Sequence, residues 1–170
     1  FVRFLAKKYN TGFFYKKFDT KSYSEKNKIS IQEAARDLRY LWFEKIRVEK
    51  KLKYIATAHH QNDNAETVLL NFIRGTGISG LHGIKSKRGK IIRPLLFATK
   101  NELINYAKQN KLKFREDQSN KSDKYTRNKI SNKIIPLLEE LNPKIISTIV
   151  ENSARIQKAE EVLSVYLSAM

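Results

Sequence analysis

Residues 53–77 read KYIATAHHQNDNAETVLLNFIRGTG, and three patterns follow one another in them. Lys53 to Ala58 is a short apolar run of the kind that forms a buried strand. Asn62 to Arg74 has helical spacing, with Ala65, Val68, Leu69, Phe72 and Ile73 expected on its inner face. Gly75 and Gly77 stand where a helix ends. Between strand and helix lies a polar cluster: His59, His60, Gln61, Asn62 and Asp63. A strand that runs through a polar turn into a helix is the repeating unit of α/β folds, whose ligands sit at the carboxyl ends of strands.

The flanking segments extend this pattern. Phe1 to Tyr9 reads as a short amphipathic helix broken by Gly12, and Phe13 to Phe18 (FFYKKF) as a strand. Lys21 to Lys28 is polar and loop-like. Ser30 with Glu33 fits a capping box, and Ala34, Leu38, Leu41, Trp42 and Ile46 continue the stripe of the helix behind it. Ser79 to Lys90 reads as a basic, glycine-containing loop. Ile91 to Arg93 is extended and ends at Pro94. Thr99 to Asn110 is helical, Arg115 to Asp123 irregular, and Lys124 to Leu138 helical until Pro136 disturbs it. From Pro143 a last helix places Ile145, Ile149, Ile156, Leu163 and Leu167 in register. The expected fold is α/β, a Rossmann-like parallel sheet followed by a C-terminal helical segment. Residues 1–140 are expected to form the sheet domain and 141–170 a helical connector.

Composition narrows the function classes. The chain has 170 residues, 41% hydrophobic and 30% charged, with nine Phe and eight Tyr. That suffices for a core. It has no cysteine, which excludes a disulfide framework or a thiolate metal site within these residues and makes a reducing cytoplasm the simplest setting. No apolar run approaches the ~20 residues of a membrane-spanning helix, and no membrane association is expected. The first residue is Phe1 and the one methionine is Met170, so a fragment of a longer protein is expected. The net charge is +17. Residues 1–60 hold 15 Lys+Arg against 6 Asp+Glu, residues 61–140 hold 16 against 8, and the last 30 hold 3 against 3. This favours a polyanionic partner met before residue 141. A plainly solvated, lysine-rich surface is the alternative.

The polar cluster carries the chemistry. The start of the helix behind it offers unpaired N–H groups and a positive dipole end, suited to phosphate. His59 and His60 can donate to phosphate oxygens. Asp63 and Glu66 lie one turn apart and can reach one site. Asp63, Thr67, Leu70 and Arg74 form one stripe, expected to point away from the apolar face. A zinc site is disfavoured, because the two histidines are adjacent rather than four apart on a helix. Elsewhere, Arg36 and Arg39 stand one turn apart and could clamp phosphate or pair with Glu33 and Asp37. Arg127 reads either as a phosphate contact or as an ion-pair partner of Asp117. Asp117 and Asn120 read as site residues or as turn formers. Lys85, Lys87, Arg88 and Lys90 make a basic loop suited to RNA or simply to solubility.

His59-His60-x-x-Asp63-x-x-Glu66-Thr67, followed by Arg74-Gly75-Thr76-Gly77, resembles the central motif of tRNA(Ile)-lysidine synthetases, members of the PP-loop ATP pyrophosphatases. Further pieces resemble that family in order: Glu33-x-Ala35-Arg36-x-x-Arg39-Tyr40, Arg93-Pro94-Leu95-Leu96, Glu116-Asp117-x-Ser119-Asn120, Arg127-Asn128-x-Ile130 and Ile135-Pro136-Leu137-Leu138. The resemblance implies ligation of lysine to C2 of cytidine 34 in a tRNA(Ile) with a CAU anticodon, through a cytidine adenylated by ATP, with Mg²⁺ accompanying the ATP. It assigns Asp63, Glu66 and Arg39 to catalysis and His59, His60, Gly75 and Gly77 to ATP. It assigns Arg36, Arg74, Asp117, Asn120, Arg127 and Asn128 to tRNA or L-lysine, and no residue to a resident metal. A homodimer is left open. Two departures stand out: Asn62 where many members carry Asp, and Ser131 where Arg is frequent. The family's Ser-Gly-Gly-x-Asp-Ser loop is expected ahead of Phe1, so the fragment alone is expected to be inactive. The rivals are a tRNA thiolase of the same superfamily, which generally relies on cysteines, and a non-enzymatic basic RNA-binding module.

Overall fold

A computed structural model of the chain describes residues 1–115 and 125–168. These divide into two compact units, Phe1–Ile55 and Ala56–Met170.

The first unit is helical. Helix α1 (Val2–Lys8) ends as expected near Tyr9, but the chain turns at Asn10, which takes φ 50°, and not at Gly12. Phe13 to Phe18 forms no helix and joins no strand ladder. Its rings are instead engaged one by one: the Arg3 guanidinium lies 5.3 Å from the Phe13 ring centre, Lys50 5.4 Å from that of Phe14, and Phe18 meets Trp42 edge-on at 6.1 Å. An aromatic run encodes a strand only where a partner strand accepts its backbone groups. Lys21 to Lys28, read as a loop, lies in helix α2 (Thr20–Asn27). Its weak apolar period hid it, whereas Asp19 caps it through the Ser22 N–H at 3.0 Å and Lys28 ends it at φ 53°. Helix α3 (Ile31–Glu49) opens with the expected reciprocal Ser30–Glu33 box and buries Ala34.

The second unit holds the sheet and the core. Strands β1 (Ile55–Ala56), β2 (Lys87–Arg88) and β3 (Ile91–Ile92) stand in the order β1-β3-β2. β2 and β3 are antiparallel, pairing Lys87 with Ile92 and Arg88 with Ile91, where a parallel sheet was expected. The reason is a tight turn at Gly89-Lys90. Gly89 takes φ +59°, as the first position of a hairpin turn demands, and a two-residue turn can only reverse the chain. The stretch read as a loop from Ser79 to Lys90 thus contains most of a 3₁₀ turn (Ile78–His82) and this hairpin.

Helix α4 (Gln61–Arg74) starts directly after the His pair and ends at Gly75, φ +74°. Ala65 is fully buried with Ile130, Ile135 and Ile146, and Leu69, Leu70, Ile134, Ile145 and Ile149 pack around them. Two expectations fail here. Phe72 (69% exposed) and Ile73 (54%) leave the core at the last turn, and Leu70, placed on the outward stripe, joins it. The buried face is centred nearer Ala65–Glu66 than the apolar residues alone indicate.

Helix α5 (Lys100–Gln109) carries a second reciprocal box, Thr99 with Glu102. The Thr99 backbone and hydroxyl donors hold the Glu102 carboxyl below the usual carboxylate range. The cap therefore contributes above the ordinary carboxylate pKa and is lost as pH falls through the lowered one. Helices α6 (Thr126–Lys129) and α7 (Ile135–Leu141) are joined by a π turn, Ile130–Ile134. The disturbance expected from Pro136 lies on its N-terminal side, because proline lacks an N–H and crowds the carbonyl four residues back. Helix α8 (Ile145–Ser168) packs on α4 and the 3₁₀ turn, burying Ile146 and Ser153. Leu163 and Leu167, expected in register with that face, are exposed. No helix among the described residues is long and apolar enough to cross a membrane.

Ala65→Asp should destabilise the second unit by about 3 kcal/mol or more, since it drives a carboxylate into a fully apolar cluster. Gly83→Ala should also lower the melting temperature. Gly83 takes φ +64°, and a Cβ there would overlap Asn64 Oδ1, which accepts the Ile84 N–H at 2.6 Å. Thermal melting of both variants checks the pair.

Candidate functional site

The amino end of α4 is fixed from several sides before any functional side chain is considered. The Gln61 N–H donates to the Ala98 carbonyl at 2.8 Å, and the Gln61 amide to the Phe97 carbonyl at 3.0 Å. Asn62 Oδ1 accepts the Lys100 N–H at 2.9 Å. Asn64, buried, holds Ile84 as described, and Asn71 donates to the Gly80 carbonyl at 2.7 Å. Four amide side chains of one helix thus bond the backbone of the segments at 80–84 and 97–100.

On that anchored end sit the acids. Asp63 Oδ2 accepts the His60 N–H at 3.0 Å, closing the first turn. His60 Nδ1 lies 3.4 Å from the same oxygen. Arg127, arriving on α6, spans both carboxylates: its Nη2 donates to Asp63 Oδ1 and its Nε to Glu66 Oε2, each at 2.8 Å. The Glu66 side chain is 11% exposed, that of Asp63 24% and that of Arg127 37%, so the cluster opens to solvent on the Arg127 side. His59 stands at the mouth of the same turn with Nδ1 2.9 Å from Thr57 Oγ1. This is a half-buried, hydrogen-bonded acidic pair bridged by a guanidinium, at the carboxyl end of β1 and the positive end of α4.

The expected residues are distributed unevenly. Asp63, Glu66, His60 and Arg127 come together. Arg127 pairs with the α4 acids Asp63 and Glu66, and the partner expected for it, Asp117, lies outside the described residues, as does Asn120. Asn128 follows Arg127 on α6, half-buried. Arg74 is exposed at the far end of α4; Gly75 and the extended Gly77 have open space where a Cβ would stand. Arg36 and Arg39 belong to α3 of the first unit, where Arg36 lies 5.3 Å from the Tyr40 ring centre and Arg39 is exposed.

One pairing and two buried polar residues carry no local signal in the sequence. Arg127 and the acids it meets are 61 and 64 positions apart, beyond any local pattern. Buried Arg93 donates to the Lys85 carbonyl. Buried His82 places Nε2 2.7 Å from Glu160 Oε2 and so ties the 3₁₀ turn to α8. Asn64 was detectable as a polar residue between buried neighbours, with Gly83 as its counterpart.

Comparison with known proteins gives one consistent result. A tRNA(Ile)-lysidine synthase of Bacteroides thetaiotaomicron is 45% identical over 98% of this chain and 38% of its own length. Its counterpart in Chlorobaculum tepidum is 40% identical over 100% of the chain and 52% of its own length. The chain spans between 22% and 52% of the length of curated relatives such as these. Among solved structures, the U34-tRNA thiolase NcsA of Methanococcus maripaludis, with its [4Fe-4S] cluster, superposes with a TM-score of 0.57 at 23% identity, over 73% of this chain and 43% of that one. That likeness is one of fold. Residues 1–138 match the PP-loop domain family, and the chain belongs to it.

Proposed function

We propose that this chain is the nucleotide-binding part of a tRNA(Ile)-lysidine synthetase of the cytoplasm, with residues 1–140 its Rossmann-like PP-loop domain and 141–170 a helical connector. The observation that carries the reading is the 45% identity to a protein of that name across 98% of the chain. The substrates would be ATP, L-lysine and a tRNA(Ile) with a CAU anticodon. In the first step the cytosine O2 of cytidine 34 attacks the α-phosphorus of ATP and pyrophosphate leaves. In the second the ε-amine of lysine attacks C2 and AMP leaves, so a carbon–nitrogen bond replaces the activated carbon–oxygen bond.

The residues fit such a task. The N–H groups at the head of α4, with His59 and His60, suit phosphate oxygens. Gly75 and Gly77 leave space for a close backbone approach. Asp63 and Glu66 suit an ammonium group, which needs acceptors in a half-buried place. Arg127 keeps the two carboxylates from repelling each other and fixes their orientation. Mg²⁺ keeps several waters and takes phosphate oxygens with one or two carboxylates. Asp63 and Glu66 could supply those, and among the described residues no group of three or more His, Cys, Asp or Glu forms a fuller cage. Arg36, Arg39, Arg74 and Asn128, with Asp117 and Asn120, remain proposed contacts of the nucleotide, lysine or RNA. The thiolase alternative is less favoured, because this chain has no cysteine and the named relatives at 40–50% identity are lysidine synthases.

In the full-length protein, Asp63→Asn should melt only slightly below the parent temperature, because the amide oxygen can still accept the His60 N–H and Arg127 keeps its bond to Glu66 while losing the one to Asp63. It should slow lysidine formation by about a hundredfold or more, as loss of a positioned charge does. Incorporation of labelled lysine into a CAU-anticodon tRNA(Ile) transcript with ATP is the assay. An early-melting variant would make Asp63 structural, and full activity would move the chemistry elsewhere.

Arg127→Met should lose both stability and activity. It leaves Glu66 buried beside Asp63 without its cation, at a cost of about 1–3 kcal/mol, reduced from that of a fully buried pair because Arg127 is partly exposed. If Arg127→Met melts normally, the ion pair does not hold this end of the unit together.

A further inference from the structure

Between Glu66 and Glu102 the chain contains no acidic residue and seven basic ones: Arg74, Lys85, Lys87, Arg88, Lys90, Arg93 and Lys100. Arg93 is used internally: it is buried, its guanidinium donates to the Lys85 carbonyl, and its N–H donates to the Ser86 carbonyl at 2.8 Å. Four of the other six lie within residues 85–90, the hairpin formed by β2, the Gly89-Lys90 turn and the start of β3, and all four are exposed. Arg93 therefore fixes the base of the hairpin that carries them. Opposed residues of an antiparallel pair share a face, so Lys87 lies on the face of Ile92 and Arg88 on that of Ile91. The hairpin thus carries cations on both faces and, with Lys90, at its tip. A hairpin serving only as a soluble connection gains nothing from excluding carboxylates, since mixed charges solvate a surface without self-repulsion.

We propose that hairpin 85–90 is a preformed RNA-binding prong, whose two charged faces and tip contact phosphates on both sides of it as it enters a groove or bend of the RNA. The choice of RNA rests on the function proposed above; the charge and its rigid support do not. Phosphates read in this way add affinity and orientation with little sequence preference. Because the Lys85 carbonyl and the Ser86 carbonyl are already bonded, little ordering remains to be done on binding.

The test uses the full-length protein and tRNA(Ile) transcript. One variant carries Lys85→Gln, Arg88→Gln and Lys90→Gln; a charge-matched control carries Lys7→Gln, Lys45→Gln and Lys50→Gln. Affinity is measured at several salt concentrations, and melting confirms that each variant is folded. Loss of three phosphate contacts should reduce the slope of log affinity against log salt by about 2 and weaken binding about tenfold or more near 0.1 M salt. The control should change the slope by less than half as much. An unchanged slope in the hairpin variant overturns the proposal, and so does an equal loss in both variants, which would mean that net charge alone attracts RNA. If the parent protein binds the transcript yet makes no lysidine, the functional reading fails while the prong stands. If the parent binds vesicles containing anionic lipid and not RNA, the prong fails as an RNA element.

Discussion

Two carboxylates one helical turn apart on a half-buried helix face repel each other and lose hydration, and the second unit is arranged around the answer to that difficulty. Arg127 supplies one guanidinium to both, and its planar fork is matched to two acceptors as a lysine ammonium is not. To deliver it, α6 must lie against the head of α4. The π turn after α6 then carries Ile130 and Ile134 onto Ala65, and Ile135 follows at the head of α7. The ion pair and the apolar cluster are therefore two faces of a single contact. Asp63 and Glu66 flank Ala65 in sequence, so a shift of α6 that broke the pair would also open the core.

The amino end of α4 is held as firmly as its middle. Helix ends leave N–H groups unpaired, and such an end can serve as an anion site only if its orientation is fixed from outside. Gln61, Asn62 and Asn64 supply that fixation by bonding three separate backbone positions, Phe97, Lys100 and Ile84. Asn62 is one of the positions at which this sequence departs from the lysidine-synthetase motif. Its amide oxygen engages a backbone N–H here, as a carboxylate at the same position also could. The departure is thus compatible with a positioning role at that residue.

Much of this was legible in residues 53–77, because the elements there are local. The strand's end, the helix, its glycine stop and the polar cluster between them all follow from spacing. The capping boxes at Ser30 and Thr99 are likewise short-range patterns, although only the first was recognised. What was not legible depended on partners distant in sequence. FFYKKF is apolar and aromatic like a strand but has its rings engaged singly, by Arg3, Lys50 and Trp42. Phe72 and Ile73 fit the apolar face by type yet lie past the end of the surface that α6 to α8 provide. The meeting of Arg127 with Asp63 and Glu66 depends on the approach of α6 to α4. The β2–β3 hairpin was marked by Arg88-Gly89-Lys90, a local signal submerged in a run of charges.

The site also has to work against the charge of the chain that carries it. At +17, the protein attracts polyanions and repels cations at long range. Screening confines such effects to about 8 Å at physiological ionic strength, so a ligand within the cluster responds mainly to the cluster itself. There, among the described residues, two carboxylates and one guanidinium leave a single formal negative charge. A monocation is the charge that balances it, and the Asp63 and Glu66 oxygens retain lone pairs beyond those used by Arg127 and His60. On the reading that the substrates are a tRNA, ATP and lysine, two of the three arrive as anions toward a basic protein. The third carries an ammonium that needs one place of opposite sign. Removing Arg127 would deepen that place to two negative charges, but it would also release the carboxylates from the geometry that makes them an ordered site. Arg127 thus sets the charge of the cluster and its shape together, which is why neither can be altered without the other.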